Sequence, residues 1–409
     1  MTRLLGSLRL IRFPRRLLPV SGKLVLFLAA LLLLLLAGLG PFGCGVEIGS
    51  GSPAFSVLKV TDLGPIPTNP DILGRDGGYS ALFQGYSVWL YGDTFLASPN
   101  AEDFTLISDS WSYTNDLVAQ GGITGFHERL DSAGAPTMIL PLTADEEAFN
   151  AAHNGNNCQQ PCGARWALWP ASIVISPASG NALIFYGLVS AAPGNFNFQG
   201  LGSSVATWPT FQSQPQRPTI SPVVVAAHPD LLFAQNEPSF GSAALISSGM
   251  LYVYGCGTPA SGTDKGCRLG RVNPADVLDR SAWTYYTGGG NWSPQIGDAI
   301  AVFTGDNILS VAWNSYLQQY VAVYSAPFSR NVMMRSSPSP QGPWSREVTA
   351  FAAMQPASGN VYDAHAHPEY DTNGGQTIYV SYSRSTSAAF SSEVRLVAVE
   401  LGRTSAEKN

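Results

Sequence analysis

The sequence predicts an all-β fold, a five-bladed β-propeller with four-stranded antiparallel blades around a central channel. Three observations predict it. The 409 residues include 42 Gly and 29 Pro, with 45% hydrophobic and only 12% charged residues, a folded, turn-rich composition poor in helix formers. Beyond residue 55, short apolar strands recur in pairs joined by Gly, Asn or Ser turns. These pairs keep one polarity and no linker divides the chain, which favours stacked blades over the alternative of two β-sandwiches.

The pairs follow in order. Tyr79–Phe83 turns at Gln84-Gly85 into Ser87–Asp93, and Ala171–Ile175 turns at Ala178–Asn181 into Ala182–Gly187. Ser242–Ile246 turns at Ser247–Gly249 into Met250–Gly255, and Asn307–Trp313 turns at Asn314-Ser315 into Gln319–Tyr324. His365–Tyr370 turns at Asp371–Gly375 into Thr377–Tyr382. The five pairs start about 60 to 95 residues apart, and further strand-like runs such as Cys267–Val272, Trp283–Tyr286, Val332–Arg335 and Trp344–Val348 fill the gaps. Helical turns are expected only at Ala144–Ala152 and Pro274–Arg280.

The N-terminus reads as an export element over residues 1–44. Arg3, Arg9, Arg12, Arg15, Arg16 and Lys23 precede an uncharged apolar run of 17 residues, Leu24–Gly40. A basic flank before such a run is a signal peptide or a signal anchor, and its length sits at the short limit for spanning a bilayer. Cys44 follows Pro41-Phe42-Gly43, where a lipidated Cys would stand, although the Leu expected three residues upstream is absent. Residues 45–55 read as a tether, 56–403 as the propeller and 404–409 as a disordered tail. An exported, membrane-anchored monomer at the cell surface or in the periplasm is the expectation.

Six of the 22 basic residues lie in that leader and no acid does, so the remainder carries 16 basic against 28 acidic residues, a formal charge of −12. With no cationic track for phosphates, nucleic acid is excluded as a partner. The other four cysteines form two local groups, Cys158/Cys162 and Cys256/Cys267. Their spacing predicts two disulfides in an oxidising compartment and does not fit a four-Cys zinc site.

In a propeller the first strand of each blade lines the channel, and the loop before it opens at the mouth. Those mouth positions carry Arg75 and Asp76, Trp166 and Trp169, Asn236 and Glu237, Asp298, and Asp363, His365 and His367. Aromatic, polar and acidic groups converging from five blades suit a carbohydrate: Trp stacks on the ring, polar groups read hydroxyls, and two carboxyls act at the scissile bond. Each residue alone is equally explained as a turn or cap residue. Asp76 and Asp93 are the sharper pair, because a hairpin that goes out and returns brings both to one end, about one strand spacing (~4.8 Å between backbones) apart. Glycosidases use carboxyl separations of about 5 Å for retention and 6.5–9.5 Å for inversion. His365 and His367 alternate on a strand and both can face the channel, with hydrogen bonding, a water or a Ca²⁺ ion as the alternatives; no other cofactor is expected.

Arg75-Asp-Gly-Gly-Tyr-Ser80 with Val88-Trp-Leu-Tyr-Gly-Asp-Thr-Phe95 resembles the opening blade of domain of unknown function 4185, a family that includes the endo-D-arabinanases of glycoside hydrolase family 183. Later echoes are Ser310–Asn314 with Tyr320, Ser339–Ser345 and the His367-Pro368 segment. The resemblance implies a five-bladed propeller over about residues 55–401, with Asp76 and Asp93 at the positions of the two catalytic aspartates. Glu237 before Pro238 is similar to the third acid of related fructan- and arabinan-cleaving propellers, and Asn314 joins the substrate contacts. Two departures, the insert at 145–168 with its Cys pair and Asn195–Gly202, reshape the cleft. The expected activity is endo-acting hydrolysis of a furanoside polysaccharide of the D-arabinan type. The rival expectation is a carbohydrate-binding or cell-surface interaction propeller without catalysis.

Overall fold

Alternating apolar residues that bury one edge against the next sheet build the strands, and the structure, a computed structural model, describes residues 49–194, 197–257, 265–359, 361–388 and 390–404. Strand β1 (Phe55–Pro65) comes first and finds its partner only at the end of the chain. Blade one holds β2 (Ile72–Phe83), β3 (Tyr86–Leu96), β4 (Leu106–Ile107) and β5 (Ser110–Thr114). Blade two holds β6 (Arg165–Ile175), β7 (Ala182–Ala191), β8 (Phe198–Trp208) and β9 (Phe233–Ala234). Blade three holds β10 (Phe240–Ser247), β11 (Met250–Cys256), β12 (Gly266–Val272), β13 (Thr284–Gly288), β14 (Asn291–Ser293) and β15 (Ala301–Thr304). Blade four holds β16 (Leu309–Asn314), β17 (Gln319–Ser325), β18 (Asn331–Ser337) and β19 (Val348–Ala352). Blade five takes β20 (Tyr362–Ala366), β21 (Thr377–Ser385) and β22 (Ser392–Arg403), and β1 returns as its outermost strand.

The five-bladed propeller is therefore the fold, antiparallel throughout its named sheets. Inner strands β2, β6, β10, β16 and β20 each touch the next, and β20 touches β2 to complete the ring. Blade three departs from four strands. The outer edge of β12 is shared, with β13 taking Gly270 and Arg271 while β15 takes Gly266 to Arg268. Between blades lie large buried rings, including Trp89, Trp208, Trp283 and Trp344, so the core is five wedges of aromatic and aliphatic packing.

Both expected disulfides form. Cys158–Cys162 closes a loop of the insert, and Cys256–Cys267 crosses directly between β11 and β12. The leader, with Cys44, lies outside the described residues. Of the residues read from sequence as tether, Gly51 lies on blade four, pairing with Ser345 and accepting from the Arg346 amide at 2.8 Å, and Phe55 opens β1.

The insert also carries the helix α1 (Ala144–Ala152), started by a capping box in which Thr143 Oγ1 accepts from the Glu146 amide and Glu146 returns to the Thr143 amide. Glu146 does a second job. It pairs with Arg217 at 2.6 Å, and Arg217 pairs in turn with Asp230 at 2.8 Å while donating to Tyr186 Oη. This buried cation pins the insert to blade two. Replacing it by Ala leaves two carboxylates facing each other without a counter-charge, so Arg217→Ala should cost about 3–5 kcal/mol in urea unfolding.

Candidate active site

The Asp-Gly-Gly sequence bends β2 where it meets β3. The pairing slips at Arg75/Gly77 and again at Gly77/Tyr79, and Gly77 and Gly78 stand at φ +87° and +100°, a region that L side chains avoid. The double bulge throws the Asp76 carboxyl across the hairpin onto Gly92. A Cβ there would lie 2.5 Å from Asp76 Oδ1, so any larger residue at 92 would displace the Asp76 carboxyl. Asp93 follows at once. The hairpin thus returns both carboxyls to one end, as its out-and-back geometry predicts, and both line a cavity of about 640 Å³ at the mouth.

Blades two and five complete the site. From β6, Arg165 Nη2 pairs with Asp93 Oδ2 at 2.5 Å and Trp169 Nε1 donates to Asp93 Oδ1 at 2.9 Å, fixing the carboxylate from both oxygens. From β20, the Tyr362 hydroxyl donates to Asp76 Oδ2 at 3.4 Å. Asp363, at φ +54°, lies beside Asp76, with the Tyr79 hydroxyl near its carboxyl. The far wall is rich in hydroxyls, with Ser358, Ser385, Thr386 and Ser391, and Phe95 and Phe390 form its apolar edge.

Electrostatics separates the carboxyls. Burial, and then the negative charges of Asp363 and Asp93, hold the Asp76 carboxyl well above the usual carboxylate range. Burial, followed by the charge of Asp306, pushes Asp363 up to about 7. Arg75 does nothing to offset this, although it is the neighbour in sequence. Its guanidinium turns into the interior, 3.0 Å from Glu128 and stacked 3.5 Å over the Tyr91 ring. The expectation of a substrate contact at Arg75 is corrected by that burial.

Other expected site residues scatter. Trp169 and Asp363 stand at the carboxyl pair, whereas Trp166 lines a separate cavity of about 200 Å³ under α1. Glu237 pairs with Arg280 at 2.7 Å and accepts from the Ala234 amide, and it is not on the wall of the larger cavity; Asn236 beside it is exposed. Asp298 accepts from Ser293 Oγ in an exposed turn. Asn314 is buried and ties the β16–β17 turn to Gly375 O and the Leu317 amide, so it holds a turn and reaches no cavity. His365 lies on β20 and His367 directly after its end, and both are buried. Burial depresses His365 to about 3, and both ring nitrogens of His367 are taken by Ser80 and Ser381. Among the described residues no three His, Cys, Asp or Glu side chains gather around a point where a metal ion would sit. Tyr79, Tyr362 and Phe390 were not singled out from the sequence. The first two are flagged only by their closeness to Asp76 and Asp363, and Phe390 by standing alone in a Ser-rich turn.

Residues 197–391 match the family described as "Domain of unknown function (DUF4185)". The match takes in the later echoes at 310–314, 339–345 and 367, while the opening motifs of blade one precede it. No curated protein matches the chain. Among solved structures, a Bacteroides ovatus protein described as a hydrolase is 15% identical, covers 82% of this chain and 87% of its own, and has a TM-score of 0.52. The GH43_1 enzyme from Xanthomonas citri complexed with xylotriose is 13% identical, over 82% of this chain and 90% of that one, with a TM-score of 0.46. The alpha-L-arabinofuranosidase PaAbf62A from Podospora anserina in complex with cellotriose is 10% identical, over 87% and 99%, with a TM-score of 0.45. The first of these likenesses establishes a shared propeller fold.

Acids held above their unfolded values shape the pH dependence of stability. Asp371, raised to about 8 by burial and then by the Glu369 charge, is the clearest, with Oδ1 buried and unpartnered. Its protonated form is the one the fold favours. The stabilisation is present in full below about pH 4, the unfolded value, and is lost as pH rises through about 8. The Tm difference between Asp371→Asn and the parent should therefore shift in the variant's favour from pH 6 to pH 9. A difference that stays constant across that range would refute the assignment.

Proposed function

We propose that this chain, with its DUF4185 match over residues 197–391, is a glycoside hydrolase acting within a furanoside polysaccharide of the D-arabinan type. One observation carries the reading: two carboxyls side by side at an open cavity, one kept protonated by burial and like charge, the other held in an ion pair. Hydrolysis of a glycosidic bond needs that division. Asp76, protonated, gives its proton to the leaving oxygen as the sugar develops positive charge. Asp93, oriented by Arg165 and Trp169, faces the anomeric carbon as nucleophile, or draws a proton from the water that attacks it. Tyr362 and Asp363 maintain the Asp76 proton, the first by position and the second by charge.

The hydroxyl wall and aromatic edge of this mouth support an oligosaccharide there. The enzyme acts outside the cytoplasm, anchored by the apolar run or by lipid on Cys44; the two disulfides fit that compartment. Fractionation should find the full chain with membranes, and Cys44→Ser should release it only if lipid is the anchor. Recovery of the full chain from the cytosol would refute this placement.

Asp76→Asn and Asp93→Asn should each fold and each lower kcat by about 10²- to 10⁴-fold on D-arabinan, assayed by product chromatography. The double variant should be little worse than either, because the two act as a unit. Glu237→Gln should leave kcat within a few-fold, since its carboxylate is committed to Arg280. Near-parental turnover in both Asp variants would overturn the assignment. Glycan binding without cleavage by the parent would establish instead the non-catalytic carbohydrate-binding propeller.

A further inference from the structure

The register of each blade shows which loops share the mouth with Asp76 and Asp93. The start of the first strand lies opposite the end of the second: Arg165 pairs with Ala191, Leu309 with Tyr324, and Tyr362 with Ser383. The loop from second to third strand therefore opens at this same end, and exposed phenylalanines stand in it or on the first residue after it in three blades. Phe198 in blade two is 48% exposed, Phe328 in blade four 91% and Phe390 in blade five 69%. Exposing a large ring to water is unfavourable, and Phe390 also holds φ at +56°, where a side chain is strained. An exposed, strained aromatic at the rim of a cleft implies a ligand that covers it.

Two of these rings are not isolated. Phe390 stacks on Phe95 at 5.2 Å and 28°, and Phe95 stands two residues after Asp93 on β3. Phe198 meets Trp169 edge-on at 4.9 Å, and Trp169 is the residue that donates to Asp93. Inner strand β2 touches β6 of blade two on one side and β20 of blade five on the other. One pair thus joins blade one to blade five, and the other lies in blade two. We infer that Phe95–Phe390 and Trp169–Phe198 are two stacking platforms, each taking one sugar ring, on opposite sides of the bond that Asp76 and Asp93 address.

The chemistry of the walls selects a sugar over other flat ligands. A sugar ring offers an apolar C–H face to an aromatic ring and hydroxyls at its edge. Around Phe390 those hydroxyls meet Ser385, Thr386 and Ser391. A nucleotide would also stack, but its phosphates would face Asp76, Asp93 and Asp363 with no uncommitted arginine beside them, since Arg75 is held by Glu128 and Arg165 by Asp93. Phe328 has no ring partner given by the structure and lies in blade four, away from the flanking blades, so it is not assigned to either platform.

This inference rests on the glycosidase reading, and the test separates the two. The full-length Asp76→Asn chain is titrated by calorimetry with D-arabinofuranosyl oligosaccharides of two to eight residues. Affinity should rise with length until both platforms are covered. Phe390→Ala and Phe198→Ala, each added to Asp76→Asn, should weaken the longer ligands by about three- to tenfold, and the pair together multiplicatively. Both rings are exposed, so neither change threatens the fold. Trp313→Ala, an exposed ring at the opposite end of blade four, should change nothing. In the otherwise native enzyme the Phe variants should raise KM with kcat nearly unchanged. Unchanged affinity and KM in both Phe variants, with cleavage intact in the parent, overturns the platforms and leaves the glycosidase standing. A parent that neither binds nor cleaves any of these oligosaccharides overturns both.

Discussion

Everything at the mouth depends on the pairing of β1 with β22, which closes the ring between the two ends of the chain. Without β1, β22 would present a 12-residue open edge, and blade five would lose the strand that completes it. Blade five is also the blade that meets the hairpin bearing Asp76 and Asp93. Ser392 Oγ donates to Arg75 O at 2.9 Å, Ser383 Oγ accepts from the Gly77 amide at 3.0 Å, and Tyr362 and Asp363 face Asp76. The bulge in β2 is therefore held by a neighbour more than 300 residues away, so closure of the propeller and assembly of the carboxyl pair are one event. The close fit extends to Gly74, where a Cβ would lie 2.5 Å from the Ser392 amide nitrogen.

Two arginines then decide how the two aspartates differ. Arg75 precedes Asp76 in sequence and is the obvious counter-charge, yet β2 turns it inward to Glu128 and Tyr91. Asp76 is left among carboxyls with a phenol hydroxyl as its donor. Arg165, distant in sequence, comes from the next blade to Asp93. Burial beside like charge favours the neutral form of a carboxyl, which is the situation of Asp76, whereas Asp93 is held in an ion pair. Arg75 and Asp76 are adjacent, and the break in pairing between Arg75 and Gly77 sends the Asp76 carboxyl to Gly92 while Arg75 turns inward.

How much of this was legible in the sequence follows from the range of each interaction. Hairpins are local, so four of the five strand pairs, their turns and both disulfides could be read from spacing and turn chemistry; in the fifth the strand ends at Ala366 and Pro368–Tyr370 forms a 3-10 turn. The pair Asp76 and Asp93 was legible for the same reason, since one hairpin contains both. The contacts of Asn314 were not legible: its amide serves a turn and Gly375, sixty-one residues away, and nothing in Trp-Asn-Ser distinguishes that from a ligand contact. The sixth strand of blade three was hidden because two short strands share one edge of β12 and neither is long enough to show an alternation. Tyr362 and Phe390 became functional candidates only when blade five was laid against blade one.

A buried constellation beneath the mouth shows why geometry must outrank residue type. Ser80, His367 and Glu369 are the three groups of a nucleophilic triad, and all three are within hydrogen-bonding reach. Their connectivity is wrong for one. In a triad the carboxylate holds the imidazole and the imidazole draws the hydroxyl proton. Here Ser80 Oγ lies 2.6 Å from His367 Nδ1 and 2.5 Å from Glu369 Oε1, so the hydroxyl stands between them, and the far nitrogen of His367 meets Ser381 at 2.8 Å. Glu369 accepts also from Ser87, which takes the Trp89 indole proton, and Trp89 stacks on His367 at 4.0 Å. Every polar group in the chain of contacts is spent on another, Ser80 is 6% exposed and His367 fully enclosed. A satisfied and sealed network can keep the inner strands of blades one and five in register, but it offers no open side to an acyl or glycosyl carbon. The carboxyls that do meet the larger cavity are Asp76 and Asp93 at the mouth.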